Sequence, residues 1–229
     1  GQCSSCRQKR FNACRYNQTL GVQRDGAMAE YIVQPWQKLI VEEALSELQL
    51  ALVEPLTVGF HAVANARVTD NVTVMVLGCG MIGMGAIIRA HLRGATVIAV
   101  DMDDAKLTVA GKLGADYLIN TMKQEISEVD RITSGDGPTV VVEAAGHPET
   151  YRSAFEKVAF AGRVVCIGYA KEDVALPTHL WVQKELQIMG SRNADPSDFD
   201  AVINYIKKTN INPDLLVSEG VPVENACNA

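Results

Sequence analysis

Three cysteines open the chain, Cys3, Cys6 and Cys14, in the spacing CxxCxxxxxxxC. Three thiols within fourteen residues point to a bound metal such as zinc more than to disulfides, with free thiols as the alternative. A structural zinc site is closed by four donors, and no histidine follows at finger spacing: His61, His91, His147 and His179 are scattered and each fits a surface or core position. The second chemical signature is Gly78-Cys79-Gly80-Met81-Ile82-Gly83, a GxGxxG loop, with Asp101 standing 18 residues beyond Gly83. Gly78 permits a tight turn, Gly80 lets a pyrophosphate approach the backbone, and Gly83 lets helix and strand pack closely. Met81 and Ile82 open a helix whose N-terminus attracts phosphate charge. A carboxylate at Asp101 accepts from both adenosine ribose hydroxyls and repels a 2′-phosphate, which favours NAD over NADP. Cys79, with no cationic neighbour in sequence, reads as an inert packed thiol.

These residues need a strand before the loop and a second strand ending at Asp101, and the pattern supplies both. Val72–Leu77 is an apolar run ended by glycine, Met81–Arg93 is helix-like, Gly94 stops it, and Thr96–Val100 is the next strand. The alternation continues with helices near Asp104–Leu113, Gln124–Thr133 and Glu149–Val158. Strands are expected at Tyr117–Ile119, Thr139–Val142, Arg163–Ile167 and Leu186–Met189. Six strands make a doubly wound, parallel Rossmann sheet with expected order 321456. Ser46 and Gln49 form a capping-box pattern starting a helix at Glu47 that Pro55 ends or redirects, and Asp195-Pro196 starts another running to about Lys208.

The composition is that of a folded globular chain: 229 residues, 48% apolar and 21% charged, without repeats or low-complexity tracts. The net charge of −6 argues against nucleic acid and anionic lipid as partners. No run approaches the roughly 20 apolar residues of a membrane span. The polar, basic opening lacks the apolar core of a secretory signal, so a cytoplasmic location is expected.

The cysteines, the segments GAMAEYIVQP (Gly26–Pro35, strand-like) and VEPLTVGFHAV (Val53–Val63), the GCGMIG loop and MGSRNA (Met189–Ala194) together resemble the medium-chain zinc-dependent alcohol and polyol dehydrogenases, sorbitol dehydrogenase-like branch. The resemblance covers nearly the whole chain. It implies a structural zinc lobe of four cysteines, of which Cys3, Cys6 and Cys14 are the last three and the first stands just before Gly1. It also implies truncation at both ends, with the Cys and His ligands of a catalytic zinc upstream. The expected organisation is therefore a remainder of a β-rich, GroES-like catalytic domain over 1–50, an NAD-binding Rossmann domain over 51–192, and a helix with a return segment over 193–229.

By the same resemblance, Glu54 is a catalytic-zinc residue of the polyol branch, and Arg192 lines the active site. Lys106 reaches the adenosine ribose or its phosphate. Val58, Gly59, Ala145, Ile167, Gly168 and Ser191 border the coenzyme. Read without the resemblance, Glu54 also fits a solvated helix residue, Lys106 a solvated helix face and Arg192 a surface arginine. The positions after strands four and five have independent support, because ligands of open α/β sheets bind at strand C-terminal ends. Cys166 reads as a buried strand residue and Cys227 as a small helical one.

The expected activity is zinc-dependent hydride transfer between NAD and a secondary alcohol such as a polyol or sugar acid. In the family, catalytic zinc acts as a Lewis acid on the alcohol. The alternatives are an NAD-binding fragment without catalysis of its own and a zinc-independent NAD(P)H reductase on the same fold. A homodimer or homotetramer is expected through the exposed edge of the sixth strand.

Overall fold

The computed structural model describes residues 1–228, with side chains as far as Ala226. Six strands form one parallel sheet: β1 (Thr73–Leu77), β2 (Thr96–Asp101), β3 (Tyr117–Asn120), β4 (Val140–Glu143), β5 (Arg163–Cys166) and β6 (Gln187–Gly190). Their order, β3-β2-β1-β4-β5-β6, is the expected doubly wound one, with the chain reversing direction between neighbouring β1 and β4. The central strands are nearly unbroken valine, isoleucine, leucine and methionine because both faces are covered. Alternation then assigns each side chain to a layer: Val74 and Val76 enter one core cluster, and Met75 and Leu77 enter the other.

The described residues form eight α-helices: α1 (Ser4–Arg7), α2 (Glu47–Asn65), α3 (Met81–Leu92), α4 (Asp104–Lys112), α5 (Glu128–Ile132), α6 (Pro148–Lys157), α7 (Thr178–Gln183) and α8 (Pro196–Thr209). Helix α2 begins with the expected capping box, Ser46 accepting from Gln49 N–H while the Gln49 side chain accepts from Ser46 N–H. Of the two outcomes expected at Pro55, an end or a change of course, the helix does not end there but continues for ten more residues. The proline removes one N–H to Ala51, a solvent-exposed position where water can serve the freed carbonyl. Beyond it, buried Leu56, Phe60 and Val63 hold the helix against the core. At about 1.5–3 kcal/mol for each large apolar side chain, they outweigh a proline cost of about 3 kcal/mol.

Helices α2 and α3 touch through backbone. A Cβ on Gly59 would lie 2.3 Å from Ala86 N and Ile82 O, and one on Gly85 would lie 2.5 Å from Leu56 O. Gly59, expected beside the coenzyme, is therefore a buried packing residue.

The segment before α2 departs from expectation. Gly26–Pro35 forms no strand, and Tyr31 and Val33 are 90% and 92% exposed. An extended segment becomes a strand only by bonding to a neighbour, and none of the described residues pairs with it. The β-rich character expected over 1–50 reduces to one isolated bridge between Leu20 and Arg24. No described helix is long and apolar enough to cross a membrane.

Candidate functional site

The C-terminal edge of the sheet gathers most of the expected coenzyme residues. Gly78 follows β1 with φ +94°, a conformation that favours glycine, and a Cβ there would meet Ala145 N at 2.9 Å. The loops after β1 and β4 thus touch where the strand order reverses. Gly83 is packed against its own turn, its hypothetical Cβ 1.9 Å from Gly78 O, whereas a Cβ on Gly80 would meet nothing within 4 Å. That open space lies over the N-cap of α3, whose first N–H groups have no partner within the helix. A pyrophosphate fits this cradle: backbone can approach, donors converge, and no side chain intrudes.

Asp101 ends β2 with its carboxylate already engaged by backbone. Oδ2 accepts from Cys79 N–H at 2.7 Å, and Oδ1 accepts from Met102 N–H at 2.8 Å and Asp103 N–H at 3.0 Å. It is thus an anchor for the glycine loop as well as a candidate ribose acceptor, a role the sequence did not reveal. Of the roughly four acceptor positions on a carboxylate, about one remains. Lys106 is exposed in the first turns of α4, with its charge close enough to act on Cys79. The Cys79 thiol is buried and pushed up to about 12 by that burial, with the Asp101 carboxylate adding to the effect, so it is inert as expected. Burial likewise pushes Cys166 up to about 11.

Ala145, Ile167 and Gly168, after β4 and β5, extend the same edge. Ser191, after β6, is buried. Beneath them lies a residue that sequence reading missed. Glu143 is completely buried, its Oε1 accepting from Ala145 N–H (3.0 Å), Gly146 N–H (2.9 Å) and the Thr150 hydroxyl (2.7 Å), while Oε2 has no protein partner. It fastens the β4 loop to α6. The available signal was a carboxylate closing an otherwise all-valine strand, VVVE.

The three N-terminal cysteines come together as their spacing implied. Cys3 Sγ lies 3.4 Å from Cys6 Sγ and 3.9 Å from Cys14 Sγ, and all three sulfurs fall within 4.8 Å of one another. Thiolates about 2.3 Å from a shared tetrahedral zinc are separated by about 3.8 Å, so the residues present fit three corners of such a site. The Ser5 hydroxyl, followed by backbone N–H groups of Arg15 and Cys6, holds the Cys3 thiol down to about 5, a ready first ligand. The Cys3 sulfur, and then burial, raise Cys6, as expected of a second thiol brought to a charged first one.

Glu54 is exposed on α2 and joins no cluster of three metal-ligating side chains among the described residues. Arg192 is exposed just after β6 and makes no hydrogen bond or ion pair with Glu54. Val58 is half-buried on α2. A separate cavity of about 640 Å³, lined by Thr73, Asp130, Thr139 and Lys184, opens at the opposite end of the sheet from these groups.

Fold and loop together define a doubly wound α/β domain with a glycine loop where the strand order reverses, carrying a cluster of three thiols. Residues 82–208, more than half of the chain, match the family model of the zinc-binding dehydrogenases, and the chain belongs to that family. A D-arabitol-phosphate dehydrogenase of Enterococcus avium is 30% identical over 97% of this chain and 65% of its own length. A short chain alcohol dehydrogenase (rspB) of Escherichia coli, solved with NADH, superposes with a TM-score of 0.89 at 28% identity, covering 100% of this chain and 68% of that one. A zinc-binding dehydrogenase target of Sinorhizobium meliloti, solved with NADP, gives the same TM-score at 27% identity, covering 100% and 68%. The chain spans 65–66% of the length of the curated relatives it matches first.

Proposed function

We propose that this chain provides the coenzyme site and zinc lobe of an NAD-dependent, zinc-dependent dehydrogenase that oxidises secondary alcohols of the polyol or sugar-acid type. The observation that carries the reading is the open cradle at Gly80 beside the anchored carboxylate of Asp101. Gly78, Gly80 and Gly83 shape that cradle, and the opening N–H groups at Met81 and Ile82 take the pyrophosphate. Asp101 accepts from the ribose and favours an unphosphorylated 2′ position, and Lys106 reaches the adenosine ribose or its phosphate. Val58, Ala145, Ile167 and Gly168 border the nicotinamide, and Ser191 also contributes to the coenzyme site. The bound dinucleotide supplies the hydride acceptor.

Cys3, Cys6 and Cys14 hold the structural zinc with one further donor. Glu54 faces the catalytic metal, where zinc supplies Lewis acidity to the alcohol, and Arg192 binds an anionic or polyhydroxy substrate. The unpaired outer edge of β6, with partly exposed Ile188, supports pairing with a second copy.

The test has two arms. Calorimetry on the 229-residue chain should show NAD binding tighter than NADP binding. The product of the complete gene should reduce NAD with a panel of polyols and aldonic acids, and lose that activity to a chelator. Activity that survives both metal removal and Glu54→Ala would reject the zinc mechanism. A second reading, coenzyme binding without turnover by this chain alone, is favoured by Glu54 belonging to no group of three metal-ligating side chains among the described residues.

A further inference from the structure

The cysteine lobe is fastened to the nucleotide-binding sheet by a buried polar cluster centred on Asn12. This residue lies two positions before Cys14, in a 3-10 turn over Phe11–Ala13, and is 9% exposed. Its Nδ2 donates to the backbone carbonyl of Arg192 at 2.9 Å and meets His61 Nε2 at 2.9 Å. Its own carbonyl accepts from the Asn193 side chain at 3.0 Å. The orientation of the amide is fixed, because a peptide carbonyl only accepts: turning Asn12 over would set oxygen against oxygen at Arg192.

The same nitrogen must then donate to His61 Nε2, so the imidazole proton sits on Nδ1. There it donates to Asp198 Oδ2 at 2.8 Å, the carboxylate that also accepts from Asp195 N–H at the start of α8. His61 and Asp198 are each 5% exposed. Asn12 Oδ1 is left buried without a partner, a cost that persists only where the surrounding contacts offset it.

We propose that Asn12 is a positioning residue, through which metal loading of the cysteine lobe orders the turn between β6 and α8 that carries Arg192. The inference rests on reading Cys3, Cys6 and Cys14 as metal ligands. Drawing those thiols onto one ion fixes the turn between Cys6 and Cys14. Asn12 hands that order to Arg192 and Asn193 through two hydrogen bonds, and to α2 and α8 through His61. Two sites that share one ordered element share free energy, so metal in the lobe stabilises the far turn and an ordered turn tightens the lobe's hold on metal.

Hydrogen exchange on the whole chain, with and without one equivalent of zinc, reads this directly. Zinc is expected to slow exchange of the amides that bracket this turn, Ser191 N–H, which donates to the Cys166 carbonyl, and Asp195 N–H, which donates to Asp198 Oδ2, by roughly tenfold. Asn12→Ala and Asn12→Asp should abolish that slowing while still developing cobalt–thiolate absorption bands on cobalt addition. Nitrogen chemical shifts should report the Nδ1–H tautomer of His61 in the wild type and its loss in Asn12→Asp, which sets an acceptor against Nε2.

Equal slowing in the Asn12 variants, no slowing in a wild type that binds metal, or an Nε2–H tautomer in the wild type overturns the proposal. Absence of cobalt bands in the wild type instead overturns the metal reading itself, and the coupling with it. Should both Asn12 variants fail to fold, Asn193→Ala removes only the bond to the Asn12 carbonyl. It is expected to cut the slowing at least threefold, and an undiminished effect refutes the latch.

Discussion

The replacement Asp101→Asn separates the two tasks of that residue. The new carboxamide keeps the shape of the side chain but converts one acceptor oxygen into a donor. Placed where Oδ1 stands, the NH2 group confronts two amides, those of Met102 and Asp103. Placed where Oδ2 stands, it confronts only Cys79 N–H. The second orientation is therefore preferred, and it sacrifices the tie to the glycine loop together with the remaining acceptor position on that oxygen. A hydrogen bond to a charged acceptor contributes about 1.5–3 kcal/mol, and about 1.4 kcal/mol is tenfold in affinity. The Kd for NAD should accordingly rise by roughly 10- to 100-fold. With the carboxylate charge gone, a 2′-phosphate is no longer repelled, so NADP should lose far less affinity or gain some. Calorimetry with both coenzymes, at one fixed ionic strength because exposed charges are screened, measures the ratio. NAD affinity within threefold of wild type and an unchanged preference would refute the account of Asp101.

Two alanine substitutions should behave oppositely. Gly85→Ala drives a methyl group to 2.5 Å from the Leu56 carbonyl and should lower stability by about 1–3 kcal/mol in urea denaturation, equal stability being the refuting result. Gly80→Ala meets no atom within 4 Å, so its urea midpoint should hold while NAD binding falls at least tenfold, and unchanged binding would show that the phosphate does not lie there. Alkylation separates the thiols. With Cys3 held near 5, its thiolate already dominates at pH 6, so in metal-free protein its labelling rate should stay flat from pH 6 to 8, where an ordinary thiol gains about tenfold per pH unit. Cys79, near 12, should resist labelling throughout, and a tenfold rise per unit at Cys3 would contradict its environment.

Much of this was legible because the sheet is covered on both faces. Strands that bury everything read as apolar runs, and connections between parallel strands leave room for little but helices, so the strand order followed from the pattern. The glycine loop was equally plain, since its residue types are dictated by backbone and phosphate geometry. What escaped lies in contacts between distant segments. Nothing local marks Glu143 as the fastening of its loop, Asn12 as the partner of His61 and Arg192, or Gly85 as the place where two helices meet. Pro55 misled because its local cost is visible in sequence while the packing that offsets it is not. Gly26–Pro35 misled for the converse reason: its aromatic and β-branched residues, Tyr31, Ile32 and Val33, suit a strand, but a strand also needs a neighbour.

The crossing of α2 and α3 has a mechanical corollary. With main chain resting on main chain at Gly59 and Gly85, no intervening side chains can rotate to let one helix slide past the other. The phosphate cradle heading α3 and the carboxylate of Glu54 on α2 therefore travel as one rigid block. Any hinge that opens or closes a cleft over the coenzyme has to be sought outside that pair, and the irregular stretch from Asn17 to Ser46, free of packed helices, is where such bending would cost least.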